Sequence, residues 1–370
     1  MQNDERHVNP AMVTLAREAR ELTQTELAGM LGVSQAMLSK VEAGFKAPTD
    51  QMLSAIAAAL GRPEEFFFQT DAVFGPGLSE FFHRRRQDVS VKTLARIHAQ
   101  INIIRMQVAR LLRAVEVPNL KIRPMDMDDF NGRPQEVARA VRQLWNLPSG
   151  PIPNVIRVIE DAGGIVVRYP FGTPQVDAIS RWVPGLPPLF FVNDGLPTDR
   201  ERLSLCHELG HLVMHDVPTS NMELEANQFA AEFLMPARDV APHLERVSIE
   251  RLAALKPYWR VSMAALLYRA VELKKVAAKS ATFLWMQMNK RGFRRREPAE
   301  LDLAPETPTL LQEIVDTHRE QFGYGIEELS RMLAATAEEV GRTYEIGQRK
   351  SETRQTLRVV HETPRQAKPN

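Results

Sequence analysis

The sequence predicts a multidomain protein, mostly α-helical, with one small β-sheet. Three observations carry this. Apolar residues recur at helical spacing along most of the chain. The period switches only between residues 165 and 192, where short apolar runs are bounded by Gly and Pro. The length, 370 residues, exceeds one compact domain at about 150 residues each. Composition agrees, since 44% hydrophobic and 25% charged residues suffice for real cores. The net charge of +1, from 47 Lys+Arg against 46 Asp+Glu, excludes a self-repelling acidic chain and a uniformly basic nucleic-acid binder. Cys206 is the single cysteine. That excludes intrachain disulfides and thiolate-rich metal sites, so any metal must be held by His and carboxylates. The first residues lack the apolar stretch of a signal peptide, and no apolar run approaches the roughly 18 residues of a membrane span. A cytoplasmic protein without membrane contact is expected.

Taken in order, residues 11–68 read as a series of short helices. Thr23 can cap a helix over 24–31, with Glu26 as its capping-box partner, and Gly32 ends it. Ser34 can cap the next, which Gly44 ends; Pro48-Thr49-Asp50 opens a fourth and Gly61-Arg62-Pro63 closes it. Gly75-Pro76-Gly77 marks a hinge. A long helix is expected over about 79–116, carrying Arg84-Arg85-Arg86, Lys92, Arg96, Arg105, Arg110 and Arg113. Prolines and an acidic patch over 118–134 indicate a linker. Helices follow over 134–147 and 153–162, then strand-like segments at 165–169, 176–183 and 189–192, then helices over 198–215 and 221–235. The expected division is 1–70, 71–133, 134–240, a helical region over 241–348 and a polar, disordered tail over 349–370. No internal repeat is evident, and 241–348 shows no motif.

The stretch from Leu22 to Gly44, with Thr23-Gln24-Thr25-Glu26, the Gly32-Val33-Ser34 turn and Gln35-Ala36-Met37-Leu38-Ser39-Lys40, resembles the XRE family of helix-turn-helix domains, the Cro and λ-repressor type. Residues 11–68 fit that five-helix module. The resemblance implies that the second helix of the motif enters the major groove of double-stranded DNA, with Gln35, Ala36, Ser39 and Lys40 facing it. Gln35 would read an adenine edge, while Gln24 and the Ser34 cap would hold phosphates. It also implies a homodimer, because such modules usually read paired half-sites. Charge is distributed against this at first sight. Residues 1–70 carry six Lys/Arg against nine Asp/Glu, a net of −3, whereas 71–125 carry ten against four, a net of +6. The basic helix is therefore a candidate source of the missing phosphate affinity.

His207-Glu208-Leu209-Gly210-His211 is an HExxH sequence. Helical residues four apart lie about 40° apart in angle and roughly 6 Å along the axis, so both imidazoles can grip one ion beside the Glu. Together with Glu223-Leu224-Glu225-Ala226-Asn227 downstream and Val176-Asp177 upstream, this block is similar to the ImmA/IrrE family of zinc metallo-endopeptidases over about 134–240, an α+β, gluzincin-like domain. The resemblance implies Zn²⁺ on His207 and His211, Glu208 as general base, and a downstream Glu as third ligand. Glu223 and Glu225 both qualify, but they lie about 200° apart on a helix, so only one can face the ion. Glu223 is favoured, because Asn227 then stands one turn on, where it can hydrogen-bond a ligand histidine. His215 lies about 12 Å along the helix from His207, too far to bind the same ion, and is expected to cap or support the site. Cys206 points about 100° from the first ligand and reads as a small buried hydrophobe. No residue identifies itself as an oxyanion donor.

The strand segments 176–183 and 189–192 could each offer an edge to an extended peptide, although 189–192 reads better as sheet core. Residues 285–296 hold five basic side chains and no acidic one, a candidate contact for nucleic acid or an acidic partner. The expectation is a DNA-binding transcriptional regulator with a zinc endopeptidase domain that cleaves a regulatory protein such as a repressor. The alternatives are a regulator whose zinc domain senses or scaffolds without cutting, and the antitoxin of a toxin–antitoxin pair.

Overall fold

The structure is a computed structural model that describes residues 7–75, 89–117, 120–344 and 357–359. They form two compact units. The first opens with α1 (Pro10–Ala19), α2 (Gln24–Leu31), α3 (Gln35–Glu42) and α4 (Asp50–Leu60), closed by a 3-10 turn at Glu64–Phe68. Side chains of Asn9, Thr23, Ser34 and Thr49 cap the four helices, and Gly32 and Gly61 end α2 and α4 in left-handed conformation. Next come α5 (Val91–Leu111) and the two-residue β1 (Val115–Glu116). Ala99, Ile103 and Met106 of α5 share one core with Met12, Leu27, Leu38, Ile56 and Phe66.

The second unit spans 120–308. It runs α6 (Pro134–Leu144), α7 (Val155–Asp161), β2 (Ile165–Tyr169), β3 (Ala178–Arg181), β4 (Leu189–Asn193), α8 (Thr198–Met214), α9 (Met222–Leu234), α10 (Ala237–Val240), α11 (Ile249–Trp259), α12 (Met263–Glu272) and α13 (Ala278–Lys290). The sheet order is β2-β4-β3, with β2 parallel and β3 antiparallel to the central β4. Every residue of β4 is buried, which makes 189–192 sheet core and leaves β3 at the edge. After 308 the chain returns to the first unit as α14 (Leu310–Gln321), α15 (Ile326–Leu333) and α16 (Ala337–Thr343), and β5 (Arg358–Val359) pairs antiparallel with β1.

Several expectations are corrected. Residues 120–133 are no linker: Ile122 is buried in the second core, and the Lys121 and Met125 N–H groups donate to the Ala162 and Val213 carbonyls. The division at 240 also fails. Lys256 on α11 is buried between Asp199 of α8, at 2.6 Å, and Glu297, at 2.7 Å. Glu306 pairs with buried Arg202 of α8 and accepts the Val155 N–H at 2.7 Å, capping α7. Segments 241–308 and 134–240 therefore form one unit, while 309–344 belongs with the helix-turn-helix region. Within 241–308, α11 ends at Arg260, whose φ is +55°, and α12 starts behind the Ser262 cap.

The basic helix is corrected too. Its apolar side, from Ile97 to Val108, is core, and its cations are drawn into pairs with the first unit. Arg96 meets Glu21 at 2.9 Å, Lys92 meets Glu26 at 3.6 Å and Arg110 meets Asp71 at 2.6 Å. Two of these pairs join the −3 and +6 segments and the third lies within the latter, so these three cations already have partners in the protein. The 285–296 stretch is likewise engaged in part, through Arg296–Asp302 and Arg294 over the Trp285 ring. The hinge beyond Gly75, the Arg84-Arg85-Arg86 run and the tail apart from 357–359 lie outside the described residues.

Candidate metal centre and DNA-reading helix

Helix α8 carries the HExxH sequence in its second half and is buried over most of its circumference. Helix α9 packs along it. A Cβ added at Gly210 would stand 3.1 Å from the Phe229 ring, so the glycine is what lets α9 come close. This approach brings Glu223 to the two histidines. The His207 and His211 Nε2 atoms are 2.9 Å apart, and Glu223 lies 3.1 Å from His211 Nε2 and 3.6 Å from His207 Nε2. Glu225 points elsewhere, to His215.

The surroundings set the tautomers. His207 Nδ1 lies 3.1 Å from Asn227 Oδ1. An amide oxygen only accepts, so the proton sits on Nδ1 and the lone pair on Nε2. His211 is fixed by a longer chain. Glu225 Oε2 is 3.0 Å from His215 Nε2, and His215 Nδ1 is 3.1 Å from His211 Nδ1. His215 Nε2–H donates to the carboxylate, so His215 Nδ1 accepts from His211 Nδ1–H, and His211 Nε2 again keeps its lone pair. Burial, with His211 adding to it, holds the His215 imidazole below its ordinary pKa, consistent with this neutral form. Two imidazole lone pairs and a carboxylate oxygen thus converge within 4.8 Å. Such a donor set could hold a cation. Zinc bonds of about 2.0–2.1 Å at tetrahedral angles separate donors by about 3.3–3.4 Å, which the observed spacings bracket.

Glu208 is buried on the same helix. Its Oε2 accepts the Ser180 backbone N–H at 2.8 Å and the Ser180 hydroxyl at 2.7 Å. Ser180 belongs to edge strand β3, and sequence reasoning did not single it out. No spacing rule joins positions 180 and 208, which meet only through the fold. Cys206 is fully buried, and burial pushes its thiol pKa up to about 12, so it is no thiolate at neutral pH.

In the first unit α3 presents Gln35, Ala36 and Lys40 to solvent, with Ser34 exposed at its cap and Gln24 and Ser39 half-buried. Arg17, nearly buried on α1, grips Glu42 through two bonds of 2.7 and 2.9 Å. Glu42 accepts from Gln24 Nε2 at 2.9 Å, and Gln24 Oε1 accepts from Gln35 Nε2 at 2.7 Å. This chain fixes the Gln35 amide while sparing its oxygen and second N–H, the pair an adenine edge requires. Gln24, expected at a phosphate, is thereby also a positioning residue. Arg17 and Glu42 were not foreseen; in sequence they are two surface-type residues 25 positions apart.

Comparison with known proteins places family resemblances on both sites. Residues 14–67 match the helix-turn-helix model, and residues 160–271 match the model of the IrrE N-terminal-like domain, a peptidase family. A search of curated proteins finds no match. Among the described residues, no helix is long and apolar enough to cross a membrane.

Proposed function

We propose that this chain, which joins an XRE-type helix-turn-helix to an ImmA/IrrE-like peptidase-family domain, is a cytoplasmic DNA-binding regulator whose second unit is a zinc endopeptidase acting on a regulatory protein. The observation that carries the enzymatic part is the convergence of two tautomer-fixed imidazoles and Glu223 beside the buried carboxylate of Glu208. His207, His211 and Glu223 would hold the zinc ion, which when bound supplies Lewis acidity that polarises a peptide carbonyl and acidifies water. The protein's own groups do the rest. β3 is an edge strand whose Ser180 N–H points off the sheet to Glu208. An extended peptide laid along that edge passes the carboxylate. Ser180 orients Glu208, which takes the proton of the attacking water on its carboxylate and delivers it to the leaving amide nitrogen. In the first unit, α3 enters the major groove of duplex DNA with Gln35 presented by Gln24, and a homodimer reads paired half-sites.

One observation favours a second reading. Both Ser180 donors sit on the same Glu208 oxygen, so the protein already engages the atom a base would use. A regulator whose metal unit senses or scaffolds would tolerate that. Metal analysis with incubation in cell extract separates the two. Wild type and Glu208→Gln are expected to carry the same zinc, with cleavage products of a partner protein formed only by the wild type. Products from both proteins alike, or zinc in neither, would sink the enzymatic reading.

A further inference from the structure

The last three helices of the first unit repeat the first three, which corrects the expectation that the chain has no internal repeat. Shifted by 302 positions, residues 10–42 correspond to 312–344 without a gap in sequence. Helices α1 and α14 end at Ala19 and Gln321. Left-handed residues follow at Glu21 and Gly323, with φ of +55° and +67°. Helices α2 and α15, Gln24–Leu31 and Ile326–Leu333, coincide end to end. The N–H groups of Thr23 and Gly325 both donate to a Glu three residues on, Glu26 and Glu328. The turn repeats as well: Gly32 and Ala334 are left-handed, at +67° and +48°, and Val33 and Ala335 both return a 3.0 Å bond to the carbonyls of Ala28 and Ser330. Ser34 and Thr336 then cap α3 and α16 by accepting the Met37 and Glu339 N–H groups, each at 3.2 Å.

The cores correspond. Met12, Val13, Leu27 and Leu38 align with Ile314, Val315, Leu329 and Val340, and all eight are 0% exposed. Arg17, Glu18, Glu26, Leu27, Met30 and Leu31 recur unchanged as Arg319, Glu320, Glu328, Leu329, Met332 and Leu333. A left-handed alanine is costly, so its position where α2 ends in a glycine marks the turn as imposed by the motif.

The reading surface is what differs. Gln24, Gln35 and Ser39 become Ile326, Ala337 and Gly341, and Ala36 becomes Glu338. Glu42 becomes Tyr344, so the Arg17–Glu42 grip has no counterpart, and Arg319 meets Asp316 instead, at 3.3 Å. Two glutamates occupy the first turn of α16, where a DNA-reading helix approaches phosphate. The helix faces protein instead. Tyr344 is buried and its hydroxyl donates to Gln107 of α5 at 2.8 Å, while Glu339 pairs with Arg62, the residue after the Gly61 cap of α4.

We propose that residues 312–344 are a second trihelical helix-turn-helix, silent toward DNA, whose third helix pairs with Arg62, just beyond α4, and with Gln107 of α5, and so braces the first helix-turn-helix module of the same chain. The test uses the full chain and, as DNA probe, duplexes enriched from a randomised pool on the wild type. It rests on the DNA-reading proposal only in its binding arm. Q35A/S39A is expected to weaken binding by about tenfold or more. E338A/R342A, on the outer face of the repeat, should change it by less than about twofold. E339A should speed hydrogen exchange across residues 10–60 and weaken binding by about tenfold, with E339Q near wild type because it keeps a hydrogen-bonding group toward Arg62. A loss with E338A/R342A equal to that with Q35A/S39A would show that the repeat reads DNA. Unchanged exchange in E339A would show that it braces nothing. If the wild type enriches no duplex, the DNA reading fails by itself, and the exchange arm still decides the brace.

Discussion

At the scale of single residues, the two glutamates of the Glu223-Leu224-Glu225 segment divide the labour. Glu223 faces the converging donors, and Glu225 fixes His211 through His215. Glu223→Ala should abolish stoichiometric zinc binding. Glu225→Gln should leave zinc bound but weaken its affinity by about 10–100-fold, the usual cost of losing a group that orients a ligand; competition with a chelator measures it. Equal loss in both variants would mean that Glu225 is a ligand. The sequence disclosed His207, Glu208 and His211 because helical geometry alone brings i and i+4 together. It favoured Glu223 over Glu225 only through the spacing to Asn227, since the choice itself depends on how far α9 is rotated against α8. Ser180, Arg17 and Glu42 were invisible for a related reason: each acts across a tertiary contact, and neither its type nor its spacing differs from that of an ordinary surface residue.

At the scale of elements, periodicity and caps were informative wherever a helix is decided locally. Thr23, Ser34, Thr49, Gly32 and Gly61 all act at helix ends as their residue types suggest. Reading failed where packing overrides composition. The Arg-rich stretch read as a source of phosphate affinity, yet α5 is a core helix on which Arg96, Lys92 and Arg110 pair with Glu21, Glu26 and Asp71. The pairing of α8 with α9 tests how far the metal centre depends on packing. Gly210→Val adds atoms where even a Cβ would press on Phe229. The expected cost is about 1–3 kcal/mol, read from the loss of the tryptophan fluorescence transition, together with weaker zinc binding because Glu223 and Asn227 ride on the displaced helix. Zinc affinity equal to wild type in a folded Gly210→Val protein would show that the centre tolerates a looser helix pair.

At the scale of the molecule, all four tryptophans, Trp145, Trp182, Trp259 and Trp285, lie in the unit spanning 120–308. Fluorescence therefore follows that unit, whereas far-ultraviolet circular dichroism follows both. This separation makes a pH prediction measurable. His318 of α14 is buried against the Phe322 and Tyr324 rings and donates from Nε2 to the Leu111 carbonyl at 2.8 Å. Burial holds its pKa below the ordinary value. The unfolded chain therefore takes the proton first as pH falls. Stability present above the unfolded pKa, about 6.5, is lost below it at up to about 1.4 kcal/mol per pH unit until the folded pKa is reached. On acidification through that window, the dichroism transition not shared by fluorescence should move to lower temperature, and His318→Leu should flatten the dependence. Equal slopes in the two proteins would acquit the histidine.

The return of the chain to its first unit after residue 308 has a consequence in time. A ribosome delivers α1 to α4 first and the metal-binding unit next. Ala334, which packs in the same core as Met12 and Leu38, arrives only with the last tenth of the sequence. Residues 10–68 are thus made before the second unit but completed after it, and closing contacts such as Arg62–Glu339 span well over two hundred residues, a separation that slows folding. A nascent chain still tethered at residue 308 would already hold His207, His211 and Glu223 of the proposed metal centre while its helix-turn-helix module lacked part of its own core. Premature termination would therefore yield not a regulator without a tail but a peptidase-family unit freed from a finished address.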